Sequence, residues 1–252
     1  MGGAARAARP STSAAPVLFP TCLVQQLRPA LLDTALRVLR RFGHDPVLAR
    51  GATCCGQPAW NTGLEGAARR VARRTLRALG PSQGPVVVPS GSCATMMREF
   101  WPQLFAGTGD AAAAGAVAHR VVELSAFLEP QAGELRRSTS AAEQRVAYHD
   151  SCHMLRELGI HSAPRRLLGA ADVEVVEVAG AELCCGFGGT FAVKLPEVST
   201  AMADEKLDSV MATGVGTLVG CDLSCLLHLQ GRAERRGLHL SSRHLVEVLD
   251  DA

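Results

Sequence analysis

The sequence predicts an α/β protein made of two pseudo-symmetric repeats, each a parallel-type sheet flanked by helices, with cysteine loops at the strand ends. Three observations lead there. A short motif occurs twice, as Cys54-Cys55-Gly56 and Cys184-Cys185-Gly186, each with one cysteine upstream and one downstream. The upstream interval, Cys22 to Cys54 and Cys152 to Cys184, is 32 residues in both copies; the downstream interval is 38 residues from Cys55 to Cys93 and 40 from Cys185 to Cys225. Strand-like apolar runs alternate with helix-like stretches, the order that builds a parallel sheet with helices on its faces. Each cysteine segment falls at or just past a strand end, where ligands collect in such folds.

Taken in order, residues 1–15 are mostly Ala, Gly, Ser, Arg and Pro and read as a disordered tail. The first cysteine-rich domain is expected over residues 16–130. Residues 15–20 form an apolar strand ending just before Cys22, and residues 23–42 carry Leu27, Leu31, Leu32, Ala35, Leu36 and Leu39 at helical spacing, closed by Arg40, Arg41 and Gly43. A brief strand at 46–49 delivers Cys54 and Cys55, a helix over 63–79 stops at Gly80-Pro81, and the strand Val86-Val87-Val88 runs into the small-residue turn before Cys93. A last short strand and helix occupy 121–129. The polar stretch 131–144 reads as a linker.

The second domain, residues 145–252, replays this order. A strand at 145–149 precedes Cys152, residues 155–168 are helix-like but interrupted by Gly159 and Pro164, and the alternating run 173–178 leads to Cys184-Cys185. A helix is expected over 198–211, a strand over 215–219 before Cys225, a helix over 226–235, and residues 238–249 mirror 121–128.

Composition narrows the function. A net charge of +2 with basic residues spread along helical runs gives no footprint for nucleic acid or anionic membrane. No stretch approaches 18 apolar residues, so no membrane span is expected, and the first residues lack the apolar core of a secretory signal. The expected location is cytoplasmic, where thiols stay reduced and clustered cysteines point to metal or redox chemistry rather than disulfides.

Four thiolates commonly hold one iron–sulfur cluster, and each half supplies four from three loops. The glycine after each pair lets the backbone turn close to a bulky group. Structural zinc normally uses two close C-x2-4-C pairs, which neither quartet has, but a non-redox zinc-binding or scaffold subunit stays open as the alternative. Cys221 is the unmatched ninth cysteine; the shared Ser92-Cys93 and Ser224-Cys225 steps favour Cys225 for the quartet and leave Cys221 as a small buried residue or a fifth ligand. His149 and His153 flank Cys152, where each reads equally as a hydrogen-bond donor to cluster sulfur or as plain structure. Lys194 reads as an anchor for an anionic carboxylate or as a solvated surface group. No dinucleotide fingerprint, phosphate loop or Ser nucleophile elbow is found.

The phrases Cys54-Cys55-Gly56-Gln57-Pro58, Pro89-Ser90-Gly91-Ser92-Cys93, His149-Asp150-Ser151-Cys152-His153 and Cys184-Cys185-Gly186-Phe187-Gly188-Gly189 resemble the cysteine-rich, CCG-motif iron–sulfur proteins, in particular the lactate utilization protein A (LutA/YkgE) family. The resemblance covers residues 16–249. It implies an oxidoreductase subunit that passes electrons during oxidation of L-lactate to pyruvate, with LutB-like and LutC-like proteins as partners; the alternative within the same resemblance is a CCG-type subunit of another 2-hydroxy-acid or disulfide oxidoreductase. It also implies an iron–sulfur cluster, expected as 4Fe-4S with number and type open. Carried over by position, the ligands are Cys22, Cys54, Cys55 and Cys93 in the first half and Cys152, Cys184, Cys185 and Cys225 in the second. The related heterodisulfide reductase B subunit ends a CCG motif in a C-x-x-C pair feeding five thiolates. Here the third residues after Cys93 and Cys225 are Met96 and His228, so that five-thiolate form is not expected.

Overall fold

The computed structural model describes residues 14–135 and 144–252, so residues 1–13 of the expected tail and 136–143 of the expected linker lie outside it. Among the described residues, eight strands form two four-stranded, all-parallel sheets. The first contains β1 (Val17–Leu18), β2 (Val47–Leu48), β3 (Val86–Val88) and β4 (Val121–Glu123), in the order β2-β1-β3-β4. The second contains β5 (Gln144–His149), β6 (Val173–Val176), β7 (Thr217–Gly220) and β8 (Ser241–His244), in the order β6-β5-β7-β8. The same strand order in both confirms the repeat. In each sheet the direction of winding reverses between the two central strands, and a crevice opens at the carboxyl ends of strands at such a switch point.

Local chemistry explains most element boundaries. All three residues of β3 are buried, as expected of a strand covered on both faces. The long helix expected over 23–42 is two helices, Cys22–Leu27 and Ala30–Arg41. Pro29 lacks the amide proton that would continue the first, and it pushes Arg28 to φ −143°, ψ 61°. Conversely, Pro164 interrupts nothing, because it sits in the first turn of helix Ser162–Ala170 where no amide donor is needed; the break lies at Gly159, at φ +64°. Within the expected linker, residues 131–134 belong to a 3-10 turn spanning Glu129–Glu134.

Three cores hold the molecule. One lies wholly within the second half, around Leu207, Leu218 and Leu229; another lies almost wholly within the first, around Trp101, Met97 and Leu76, with Leu158 against it. The third is common to both, joining Leu18, Val38, Leu39 and Leu124 to Tyr148, Leu167, Val219 and Leu249. Its geometry is reciprocal. Helix Ala30–Arg41 packs on the last helix, Leu245–Asp251, while its counterpart Ser162–Ala170 packs on Leu124–Leu128 and the turn after it. Arg41 donates to the carbonyls of Leu249 and Asp250 at 2.9 Å, closing the end of that last helix across the junction. Neither half buries its own central face.

Candidate functional site

The first quartet assembles where β1, β2 and β3 end. Cys22 follows β1 and opens helix Cys22–Leu27, preceded by Thr21, which holds φ +38° despite its branched Cβ, a costly conformation of the sort that clusters at functional sites. Cys54 and Cys55 lie in the loop after β2. Cys93 lies in the first turn after β3, capped by the Ser90 hydroxyl, which accepts from the Cys93 amide at 3.4 Å. The Sγ atoms of Cys55 and Cys93 are 3.4 Å apart, and Cys54 contacts both Cys22 and Cys55. Trp101 Nε1 donates to the Cys55 carbonyl at 2.9 Å, and the Thr75 hydroxyl donates to that of Cys54 at 2.9 Å, so the loop is fixed from behind.

The second quartet repeats the arrangement with Cys152 after β5, Cys184 and Cys185 after β6, and Cys225 after β7. Cys152 and Cys184 Sγ are 3.8 Å apart, and Cys185 contacts Cys184 and Cys225. Its loop is fixed differently: Lys206, only 1% exposed, donates its Nζ to the carbonyls of Gly180 and Ala181 at 2.7 and 3.1 Å.

The glycine of each motif is a steric requirement. Gly56 has φ +93° and a Cβ there would stand 2.9 Å from the Ala68 carbonyl oxygen; Gly186 has φ +85° and its Cβ would stand 2.5 Å from that of Ser199. This turn also aims each glycine amide at the first sulfur of the pair, Gly56 N to Cys54 Sγ and Gly186 N to Cys184 Sγ, both 3.4 Å. Crowding sets the thiol acidities. A hydrogen bond from Cys22 holds Cys54 down at about 3, and one from Cys152 holds Cys184 down at about 2. Their neighbours go the other way: Cys22, Cys55, Cys152 and Cys185 are all pushed up, first by the adjoining thiol and then by burial. Cys225 is held at about 7, chiefly by Cys185 and, after burial's opposing push, by the His149 imidazole. Four thiols packed so tightly favour a cation that would let all of them ionise.

Both quartets face one cavity of about 200 Å³, and seven of their eight cysteines line it, Cys54 being the exception. Asp222, 2% exposed, is set between the two halves. Its carboxylate accepts from the Ser92 amide of the first half at 2.8 Å, from the Ser224 hydroxyl at 2.7 Å and from that of Ser151 at 3.4 Å. Sequence reasoning did not single out Asp222; its only signal is the change from Pro89-Ser90-Gly91-Ser92-Cys93 to Cys221-Asp222-Leu223-Ser224-Cys225 between copies.

The remaining candidates separate. His153 lines the cavity with Nδ1 3.8 Å from Cys152 Sγ, and His149 is buried beside Cys185 and Cys225. Cys221 lies in the shared core, where the Tyr148 hydroxyl donates to its sulfur at 3.2 Å, and it does not line the cavity. Lys194 ends the exposed turn Phe191–Lys194 and is also absent from the lining.

Fit to an iron–sulfur group rests on the donor set: four sulfurs per half, each touching the next, and in each half a backbone N–H directed at a sulfur, the kind of hydrogen bond that tunes such clusters. All nine cysteines are free thiols.

Comparison with known proteins agrees with the duplicated site. The cysteine-rich domain family (CCG) matches residues 17–98 and 146–230. Lactate utilization protein A of Exiguobacterium sp. is 38% identical over 237 residues, 93% of this chain and 96% of its own. Lactate utilization protein A 2 of Bacillus cereus is 36% identical over 234 residues, 92% of this chain and 96% of its own. Among solved structures, glutamate racemase RacE1 of Bacillus anthracis aligns with 95% of this chain and 79% of its own at 10% identity and TM-score 0.39. With two matched CCG repeats and relatives alike over nearly their whole length, the chain belongs to the lactate utilization protein A family of cysteine-rich domain proteins.

Proposed function

We propose that this protein is the iron–sulfur subunit of an L-lactate-oxidising system, passing electrons as lactate becomes pyruvate within a complex of LutB-like and LutC-like partners. The observation that carries the reading is the pair of thiol quartets facing one cavity. The names of its relatives supply the lactate assignment.

Cys22, Cys54, Cys55 and Cys93 would hold the group of the first half, and Cys152, Cys184, Cys185 and Cys225 that of the second. When bound, an iron–sulfur group supplies one-electron transfer. The chain's own residues set the conditions around it. Gly56 and Gly186 direct amide donors at Cys54 and Cys184, and burial of Cys55, Cys93, Cys185 and Cys225 keeps water from the inner sulfurs. Asp222, Ser92, Ser151 and Ser224 keep the cavity wall hydrogen-bonded across the two halves. Exposed Val193, Leu195 and Val198, on the segment after the cavity-lining Gly188 and Gly189, support a subunit role, since such apolar groupings suit protein contact.

Anaerobic purification followed by iron and sulfide analysis tests the reading. A brown protein whose visible absorbance is bleached by dithionite is expected, with Cys55→Ser and Cys185→Ser each removing the iron of one half. A colourless protein with stoichiometric zinc would overturn it in favour of the zinc-binding or scaffold role.

A further inference from the structure

The two quartets are not chemically equal, and the difference lies at the end of the first strand of each half. His149 closes β5, and the residue 130 positions earlier, at the same place after β1, is Phe19. Both side chains are enclosed, at 2% and 0% exposure. Phe19 needs no polar partner. His149 does, yet neither Nδ1 nor Nε2 meets hydrogen-bond geometry with a protein group, although the ring lies near enough to Cys225 to act on that thiol. An imidazole always carries at least one N–H, and a buried donor left unmatched is destabilising. Such a residue persists when its partner arrives with a ligand.

What surrounds the ring says which ligand. One nitrogen of His149, Sγ of Cys185 and Sγ of Cys225 all lie within 4.8 Å of one another, and all three residues are buried. Metal bonds of about 2.0 Å to nitrogen and 2.3 Å to sulfur bring the donors of one tetrahedral atom to roughly 3–4 Å from each other. From separations of up to 4.8 Å, a contraction of about 1–2 Å would bring these three onto a single atom. The first quartet, with Phe19 in place of the imidazole, has no nitrogen to offer at that position.

We propose that His149 is a nitrogen ligand to the metal atom gripped by Cys185 and Cys225, making the second centre a mixed sulfur–nitrogen site and the first an all-thiolate one. The proposal rests on the iron–sulfur reading above.

The test is pulsed electron paramagnetic resonance on the reduced, anaerobically purified full chain, grown with ¹⁵N-histidine and with natural histidine. The expected result is a strong, directly bonded nitrogen coupling that changes with the isotope, survives Cys55→Ser and disappears in Cys185→Ser. His149→Phe, which installs the residue of the first half, should lose that coupling while the iron of the first half remains; His149→Gln should do the same. Since the labelled wild type decides the matter alone, a variant that fails to fold does not obstruct the test. Iron-loaded wild type showing only the weak coupling of a hydrogen-bonded nitrogen, or a strong one unaffected by His149→Gln, would overturn the ligand assignment and leave the iron–sulfur reading standing. Wild type free of iron would overturn both.

Discussion

Replacing Gly186 by alanine separates two contributions to the second CCG turn. The first is conformational: at φ +85° an L-residue costs about 1–2 kcal/mol. The second is steric. The new Cβ would stand 2.5 Å from the Ser199 carbonyl oxygen and 3.0 Å from Met202 Cβ, so a backbone atom of helix Pro196–Met211 must yield by roughly 0.9 Å to reach the ordinary contact of about 3.4 Å. Forcing extra bulk into a packed region of this kind adds about 1–3 kcal/mol. Gly43 provides the control, because it has φ +79° but nothing within 4 Å of its Cβ position. Gly186→Ala should therefore lose about 1–3 kcal/mol more than Gly43→Ala in denaturant unfolding of the chelator-treated chain. It should also bind less iron in the second half, because the same turn aims the Gly186 amide at Cys184. Equal losses for the two variants would show that close approach of loop and helix contributes nothing, and the steric account of the motif would be wrong.

Two further perturbations address the junction between the halves. Glu123 is fully buried, and burial raises its pKa from 4.5 to about 7 despite donors from Ser125 and Ala126. A folded-state value above the unfolded one means stability is complete below pH 4.5 and falls as pH rises toward 7, by roughly 3 kcal/mol. Glu123→Gln should flatten the wild-type fall in unfolding midpoint between pH 5 and 8, and an unchanged slope would refute the assignment. Residues 1–135 expressed alone should lack a cooperative thermal transition, because the faces of Leu31, Val38 and Leu39 lose their cover from the second half, and adding residues 136–252 should restore one by calorimetry.

Much of this architecture was legible because cysteine spacing and strand–helix alternation are properties of the chain itself. The eight quartet cysteines could be paired by arithmetic, and Val86-Val87-Val88 was the clearest strand of the first half. The errors at Pro29 and Pro164 have one cause: proline is judged by its position in a helical turn, which composition does not disclose. Lys206 had a readable signal, a lone cation on the face carrying Ala203, Leu207 and Val210, although its acceptors at Gly180 and Ala181 are 26 and 25 residues away. Asp222 had almost none. Its importance comes from Ser92, 130 residues earlier, and only the packing of one half on the other brings them together.

That packing is what turns a duplication into a site. If each half enclosed its own core, the two quartets could lie at any separation, and no wall would join them. Instead helix Ala30–Arg41 rests on Leu245–Asp251 and Ser162–Ala170 on Leu124–Leu128, an exchange that fixes both sets of strand ends toward one cavity. The Asp222 carboxylate then fastens Ser92 of one half to Ser151 and Ser224 of the other. The copies differ beside the sulfurs while all eight quartet cysteines keep their places: Phe19 corresponds to His149 in the repeat, and Ser90, on the cavity wall, to Asp222. A homodimer of one repeat would have had to make both walls alike. Joining the repeats in a single chain removed that constraint, and the unlike residues beside the two quartets are the physical use made of it.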